Sequence, residues 1–413
     1  MKRVVITGMG AVSCLGNTLR ETWDGLIRGR SGIGRISLFD PSGLPDTVGE
    51  VRNLVVPDAT PKEERRMARY VRFAAAAAQE AMLQAGLPTD PRQREGDPFR
   101  FGALISSGAG GIDECERNLE IMSRRGPGGV SAFFVPKFIL NTASGTLAIR
   151  YGLRGPNFSP ASACASASHA LGEALWIILR GDADLMLAGG AEASITKLMM
   201  GGFHSLTTLS CHPDPEKACR PFDRNRDGFV LSEGAAVLVL EELEHARKRG
   251  AEILAEIAGY GASCDAYHIT APDPDAAGVA HAMRKAMEMA QCPAEEVGCI
   301  SAHGTGTIAN DRCEAKAIRE VFGTWTDRIK VSAVKSMIGH SLGASGALAA
   351  AAAVQTLRTG IVPPTINYET PDPECALDVT PNKAAEINAT AAMTSSLGFG
   401  GHNAILVFKK WKG

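Results

Sequence analysis

The sequence predicts an α/β protein made of two similar halves. Three observations carry that expectation: strand and helix patterns alternate along the chain, four segments of the first part recur in order in the second, and both parts close on the same apolar strand. Taken in order, Val4-Val5-Ile6 is a β-branched run broken by Gly8 and reads as a strand. Met67 to Gln84 has apolar residues at helical spacing around the run Ala74 to Ala78, and Phe101 to Ile105 is the next strand. Ser166 to Ile178 is a helix with Leu171, Leu175 and Ile178 on one face. Leu185 to Ala188 and Ala236 to Leu240 are apolar runs of strand length, and Gly343 to Leu357 is a further alanine-rich helix.

The recurrence is specific in order as well as composition. Arg72 to Met82 has a counterpart in Ala277 to Met289, and the strand and glycine turn Ala103 to Gly111 in Cys299 to Gly304. The small-residue helix opening Ala163-Cys164-Ala165-Ser166 is matched by Gly343-Ala344-Ser345-Gly346, and Gly234 to Glu241 by Gly401 to Phe408. A period this long excludes a solenoid and points to a duplication, with halves at 1–255 and 256–413.

Composition excludes several classes. Hydrophobic residues at 45% and charged residues at 21% describe a globular chain rather than a disordered one. A net charge of −2 predicts no general attraction to nucleic acid or to a membrane surface, so an acidic partner must be met by a local basic patch. No apolar run approaches the ~20 residues of a membrane span. The opening reads as a strand rather than an export signal, and ten cysteines form no C-x-x-C pair. A reduced, cytoplasmic protein without a metal site is expected.

Three segments carry chemical potential. Cys164 sits where an extended stretch enters a helix, and unsatisfied N–H groups and the helix dipole there favour a thiolate nucleophile. Ala302-His303-Gly304-Thr305-Gly306-Thr307 places a histidine just past a strand end in a glycine-rich turn. Lys335 and His340 flank the turn that leads into the second small-residue helix. Gly339-His340-Ser341-Leu342-Gly343 also fits the nucleophile elbow of α/β-hydrolases, which would make Ser341 the nucleophile with Asp372 or Asp378 and His402. That alternative leaves Cys164 and His303 without a role. Asp223 to Gly228 starts like a calcium loop, but position 12 is Gly234, so no metal is expected there. A scaffold without activity is the third class, disfavoured by the presence of Cys164.

Together with Val5-Ile6-Thr7-Gly8-Met9-Gly10, Phe133 to Pro136, Tyr151 to Pro156, Arg226 to Val230, Asp265 to His268 and Ser396 to Gly401, these segments resemble the β-ketoacyl-acyl-carrier-protein synthases of the thiolase superfamily, most closely the synthase II type. The resemblance implies a duplicated thiolase fold in five αβαβα layers, a homodimer, and an acyl carrier protein as partner. It implies acyl transfer to Cys164 and then decarboxylative condensation with a malonyl thioester, elongating a fatty acyl chain by two carbons; a dedicated polyketide or specialised-lipid pathway is the alternative. It assigns Cys164, His303 and His340 to the catalytic triad, Lys335 to its support with Glu314 as ionic partner, and Phe399 to the gate beside the oxyanion hole. Thr270, Thr305 and Thr307 match the phosphopantetheine channel, Ala109, Phe203 and the partner's Phe133 the acyl pocket, and Arg65 and Arg66 the carrier-docking patch. No cofactor is implied beyond the phosphopantetheine arm that carries the substrates. Departures from the family pattern include Ala109, Ala165, Leu397 and His402.

Overall fold

The computed structural model describes residues 2–413. Nine strands form the main sheet: β1 Val4–Val12, β2 Phe101–Ser106, β3 Leu185–Glu192, β4 Gly234–Glu242, β5 Ala255–Cys264, β6 Val297–Ser301, β7 Lys330–Ser332, β8 Ala391–Gly398 and β9 His402–Lys410. Their spatial order is β2-β3-β4-β1-β5-β9-β8-β6-β7. Between β1 and β5 only Val5 with Glu256 and Ile6 with Ala255 are paired, so this seam joins two sheets edge to edge.

The two sheets match strand for strand. β2 runs parallel to β3, β3 antiparallel to β4, and β4 antiparallel to β1. In the second sheet β6 runs parallel to β8, β8 antiparallel to β9, and β9 antiparallel to β5. Even the edges correspond: β7 lies parallel to β6, and a parallel bridge joins Ala103 of β2 to Asn157.

Six principal helices complete the layers: α1 Arg69–Gln84, α2 Thr142–Tyr151, α3 Ser166–Arg180, α4 Ala277–Ala290, α5 Ile308–Phe322 and α6 Ser345–Thr359. α1 and α2 cover the outer face of the first sheet, and α4 and α5 that of the second. α3 and α6 pack against each other between the sheets. The result is five layers, αβαβα, from a duplicated unit.

Small residues set the spacing of these layers. A Cβ on Gly8 or Gly10 of β1 would run into the carbonyls of Ala81 and Ala77 in α1. A Cβ on Gly259 or Gly261 of β5 would meet those of Ala286 and Ala282 in α4 in the same way. A glycine pair on the strand and an alanine face on the helix let backbone lie on backbone, which larger side chains would prevent.

Several strands are longer than the sequence reading, the first running through Gly8 to Val12, and two helix starts differ from it. α1 begins at Arg69 rather than Met67, because a short helix, Pro61–Arg66, is closed off first and Met67 and Ala68 are extended. α6 begins at Ser345, since Leu342–Ala344 form a tighter single turn. The Asp223 to Gly228 segment holds no cation geometry. Its Arg226 is buried, 3.3 Å from Asp311 and 2.7 Å from Asp372, and pins the loop to α5. Among the described residues no helix is long and apolar enough to cross a membrane, and no cluster of three or more metal-ligating side chains occurs.

Candidate active site

The two central helices open toward one cavity from equivalent turns. Ala163–Ala165 precedes α3 and Leu342–Ala344 precedes α6. In each turn a non-glycine residue takes a left-handed conformation, Ala163 at φ 49° and Leu342 at φ 39°. Strain of this kind is retained where the surrounding packing over-determines the backbone. Here it presents Cys164 and places His340 opposite it.

Cys164 Sγ lies 3.1 Å from His340 Nε2. The His303 and His340 rings stand nearly perpendicular, with centroids 5.3 Å apart. Lys335 Nζ donates to the His303 carbonyl at 2.6 Å and lies 3.5 Å from His303 Nδ1. His303 follows β6, Lys335 and His340 follow β7, and Cys164 follows the bridged Asn157 stretch; these four groups therefore hang from corresponding sheet ends. Gly398 allows the loop after β8 to close on this site, since a Cβ there would sit 2.6 Å from the Ser162 carbonyl and 3.4 Å from the Cys164 nitrogen. The backbone N–H groups of Phe399 and Cys164 both face the sulfur.

Electrostatics follow from burial. His303 and His340 are held well below the usual imidazole range, first by desolvation and then by the Lys335 charge. Both rings are neutral at physiological pH. Burial lowers Lys335 to about 8 against the pull of Glu314, so it remains cationic near neutrality. Burial also pushes the Cys164 thiol up to about 12, although Lys335 and the Phe399 amide oppose it. Burial thus opposes the thiolate expected from the helix terminus. His340 Nε2 is the neutral ring nitrogen within reach, donor or acceptor according to its tautomer.

The cavity above these groups measures about 360 Å³. Cys164, His303, His340 and Phe399 line it, as do Thr270, Thr305, Thr307, Ala109 and Phe203. Phe133 lies outside this lining and is exposed. Arg65 and Arg66 end the Pro61–Arg66 helix, exposed, with Arg66 5.4 Å over the Phe133 ring. Among the described residues neither arginine has a carboxylate partner within 4.0 Å.

Glu314 requires a correction. It makes no ion pair with Lys335 within 4.0 Å. Its oxygens instead accept from the His303 N–H at 2.7 Å, the Gly304 N–H at 2.8 Å and the Ser395 hydroxyl. Glu314 therefore shapes the turn that carries His303 and acts on Lys335 only through its charge. The Ser341 hydrolase alternative also fails. Ser341 bonds to Ser345, Asp372 is occupied by Arg226, Asp378 pairs with Lys330, and His402 packs beside His169.

Sequence reasoning missed Glu192, which ends β3. Buried, it accepts from the N–H groups of Gly108 at 2.6 Å, Gly343 at 3.0 Å and Ala109 at 3.2 Å, and from the hydroxyls of Ser194 and Ser107. One carboxylate thus ties the Ala109 turn to the start of α6. The available signal was a lone acid closing an apolar strand. Glu192→Gln would turn an amide donor toward groups that already donate, at roughly 1–3 kcal/mol per unsatisfied group. A clear fall in the midpoint of urea unfolding is expected; an unchanged midpoint would remove Glu192 from this structural role.

Comparison with known proteins agrees with this geometry. The N-terminal domain model of β-ketoacyl synthases matches residues 1–246 and the C-terminal domain model residues 254–369. The chain is 46% identical over 413 residues to a 3-oxoacyl-[acyl-carrier-protein] synthase 2 of Staphylococcus aureus, covering 100% of this chain and 99% of the relative. Against the protein of the same name from a Synechocystis species it is 45% identical over 417 residues, with 100% and 99% covered. Among solved structures, a β-ketoacyl synthase from Burkholderia phymatum matches with a TM-score of 0.92 at 35% identity, covering 100% of both chains. A ketosynthase complex with a type II polyketide acyl-carrier protein and a bound hexaketide contains a chain that matches with a TM-score of 0.92 at 33% identity, over 99% of this chain and 100% of that one. From its sequence, its duplicated fold and the setting of Cys164, this chain belongs to the β-ketoacyl synthase family of condensing enzymes.

Proposed function

We propose that the chain moves an acyl group from an acyl carrier protein onto Cys164 and condenses it with a malonyl thioester, lengthening a fatty acyl chain by two carbons. The observation that carries this reading is a neutral histidine pair against a buried thiol at the base of a narrow cavity. In acyl transfer, the Cys164 sulfur, 3.1 Å from His340 Nε2, sheds its proton as it attacks, and the Phe399 and Cys164 amides hold the oxyanion. The proton then goes to the departing carrier thiol. In condensation, loss of carbon dioxide from the malonyl group leaves an enolate, whose oxygen the His303 and His340 Nε2–H groups stabilise. Its carbon attacks the acyl-cysteine carbonyl and displaces the Cys164 sulfur as a thiolate, which takes up one proton from solvent to restore the thiol. Lys335 keeps both imidazoles neutral, and Thr270, Thr305 and Thr307 line the path of the phosphopantetheine arm. Mass spectrometry of Cys164 after incubation with acyl carriers of several lengths, followed by product analysis with malonyl carrier, tests the sequence of steps. An unmodified Cys164 with every carrier would overturn it.

Identity to the fatty-acid-type relatives, at 46%, exceeds that to the polyketide ketosynthase chain, at 33%, which favours chain elongation over a polyketide role. The cytoplasm is the setting of this reading, with halves at 1–255 and 256–413. A homodimer is part of it: Phe133, Val135, Phe138, Ile139 and Ile149 are large apolar side chains left exposed on the single chain, the kind of face that a second copy would cover. That face would bring the partner's Phe133 toward the acyl pocket.

Two results follow. Reversing charge at Arg65 and Arg66 should raise the apparent KM for an acidic acyl carrier several-fold and spare a small thioester substrate, because a chain of net charge −2 must attract the carrier locally. Equal loss with both substrates would move the docking patch elsewhere. Ala109→Ile should selectively suppress loading of long acyl groups, since forcing a branched side chain aside in a packed site costs about 1–3 kcal/mol. An unchanged chain-length profile would show that Phe203 or the partner's Phe133 sets the pocket floor.

A further inference from the structure

Thr307 stands immediately before α5, where a threonine ordinarily turns its hydroxyl back to cap the helix. This one does not. Its side chain makes no cap bond, and its Oγ1 lies 3.0 Å from Thr305 Oγ1. Both residues line the cavity, so the hydroxyl pair stays available to an occupant. The turn that carries them is held from behind, by the loop that leads to Phe229.

Gly228 donates its N–H to the Gly306 carbonyl at 3.1 Å, and a Cβ on Gly306 would sit 2.9 Å from the Gly228 oxygen. Arg226 donates to the Thr307 carbonyl from Nε and to the Ile308 carbonyl from Nη2, each at 3.4 Å. Asp311, 3.3 Å from the same Nε, accepts from the Gly306 N–H at 3.2 Å. Asp372 accepts from Arg226 Nη1 at 2.7 Å. The guanidinium thus joins its own loop, the start of α5 and the Asp372 loop, and its side chain is 1% exposed. Stability does not account for this cation. Buried ion pairs are often no more stable than apolar side chains of similar volume, and a positive charge beside a helix N-terminus opposes the helix dipole. What a planar fork of donors does supply is a fixed geometry.

We propose that Arg226 is a positioning residue for the pantetheine arm: it sets the Thr305–Thr307 turn where the two hydroxyls meet the amides of the arm. The inference rests on the functional reading above and deepens it. Arg226 itself lies outside the cavity lining. Phe229, whose ring packs 5.2 Å from that of His340, is fastened separately, through its N–H to Thr208 and its carbonyl to Ser210. The effect of Arg226 therefore falls on the binding of substrates that carry the arm and not on the chemical step.

Steady-state kinetics of full-length Arg226→Lys test this. Lysine keeps a charge for the aspartates but, as a point donor, cannot also reach both carbonyls. The apparent KM for acyl carrier and for acyl-pantetheine should rise about tenfold, the loss of one substrate hydrogen bond, with kcat within about twofold of wild type. An acyl thioester of ethanethiol, which has no amide, should be used as well as by the wild-type protein. Should Arg226→Lys fold poorly, Asp372→Asn decides by the same comparison, with a rise of about threefold expected because it frees the guanidinium on one side only. An unchanged KM for the arm-bearing substrates in the folded variant, an equal loss with the armless thioester, or a fall confined to kcat would overturn the inference. If wild-type Cys164 acylates and the variant keeps its KM, the positioning role alone fails; if wild-type Cys164 acylates from no carrier, the functional reading fails with it.

Discussion

Cys164→Ala is expected to abolish condensation completely while leaving the fold in place. Among the described residues lining the cavity, the sulfur combines nucleophilic chemistry, a neutral imidazole at 3.1 Å and two backbone N–H groups that face it. Alanine removes the covalent intermediate and not merely a contact, so no partial rate should survive by this route. The side chain is small and lies within an alanine-rich turn, Ala163 to Ala165, so its truncation costs little packing. Intact-mass measurement with acyl carrier should show no adduct, and thermal unfolding should stay close to wild type. Elongation at near wild-type rate in this variant would remove Cys164 from the mechanism.

His303→Ala and His340→Ala come next in size. Removing one donor to a developing oxyanion costs roughly 3 kcal/mol, or about a hundredfold or more in rate. Release of carbon dioxide from malonyl carrier should therefore fall by about that factor in either variant. Acyl transfer should separate them. His340 Nε2 lies 3.1 Å from the Cys164 sulfur, whereas His303 reaches the sulfur only across the 5.3 Å ring pair. His303→Ala should consequently load Cys164 far better than it decarboxylates, while His340→Ala should be slow in both steps. Identical losses in both half-reactions for His303→Ala would mean that its role is to hold the Lys335 and Glu314 groups in place and not to meet the enolate.

Cys164, the two histidines and Lys335, which the structure brings together, stood out in the sequence because their identities are chemical and their neighbours are short-range: a thiol at a helix opening, an imidazole after a strand, small residues around each. The duplication was legible for a similar reason. Strand and helix periods are local properties, and the glycine pairs of β1 and β5 facing alanine helices are written in the chain itself. The layer arrangement needed the family resemblance, because periodicity names elements without saying which sheet face they cover.

What tertiary structure alone decided concerns charge and partners. A helix terminus argues locally for a thiolate at Cys164, but complete burial raises the thiol to about 12, and burial is a sum over residues distant in sequence. Glu314 looked like the ionic partner of Lys335, yet its lone pairs go to the His303 turn and to Ser395, 81 positions away. Glu192 reaches Gly343 across 151 positions, a contact no spacing rule can announce. Sequence by itself therefore determined which groups could react and that two copies of one unit would hold them. The folded structure determined their protonation, because desolvation and hydrogen-bond satisfaction belong to the three-dimensional surroundings and not to the order of residues along the chain.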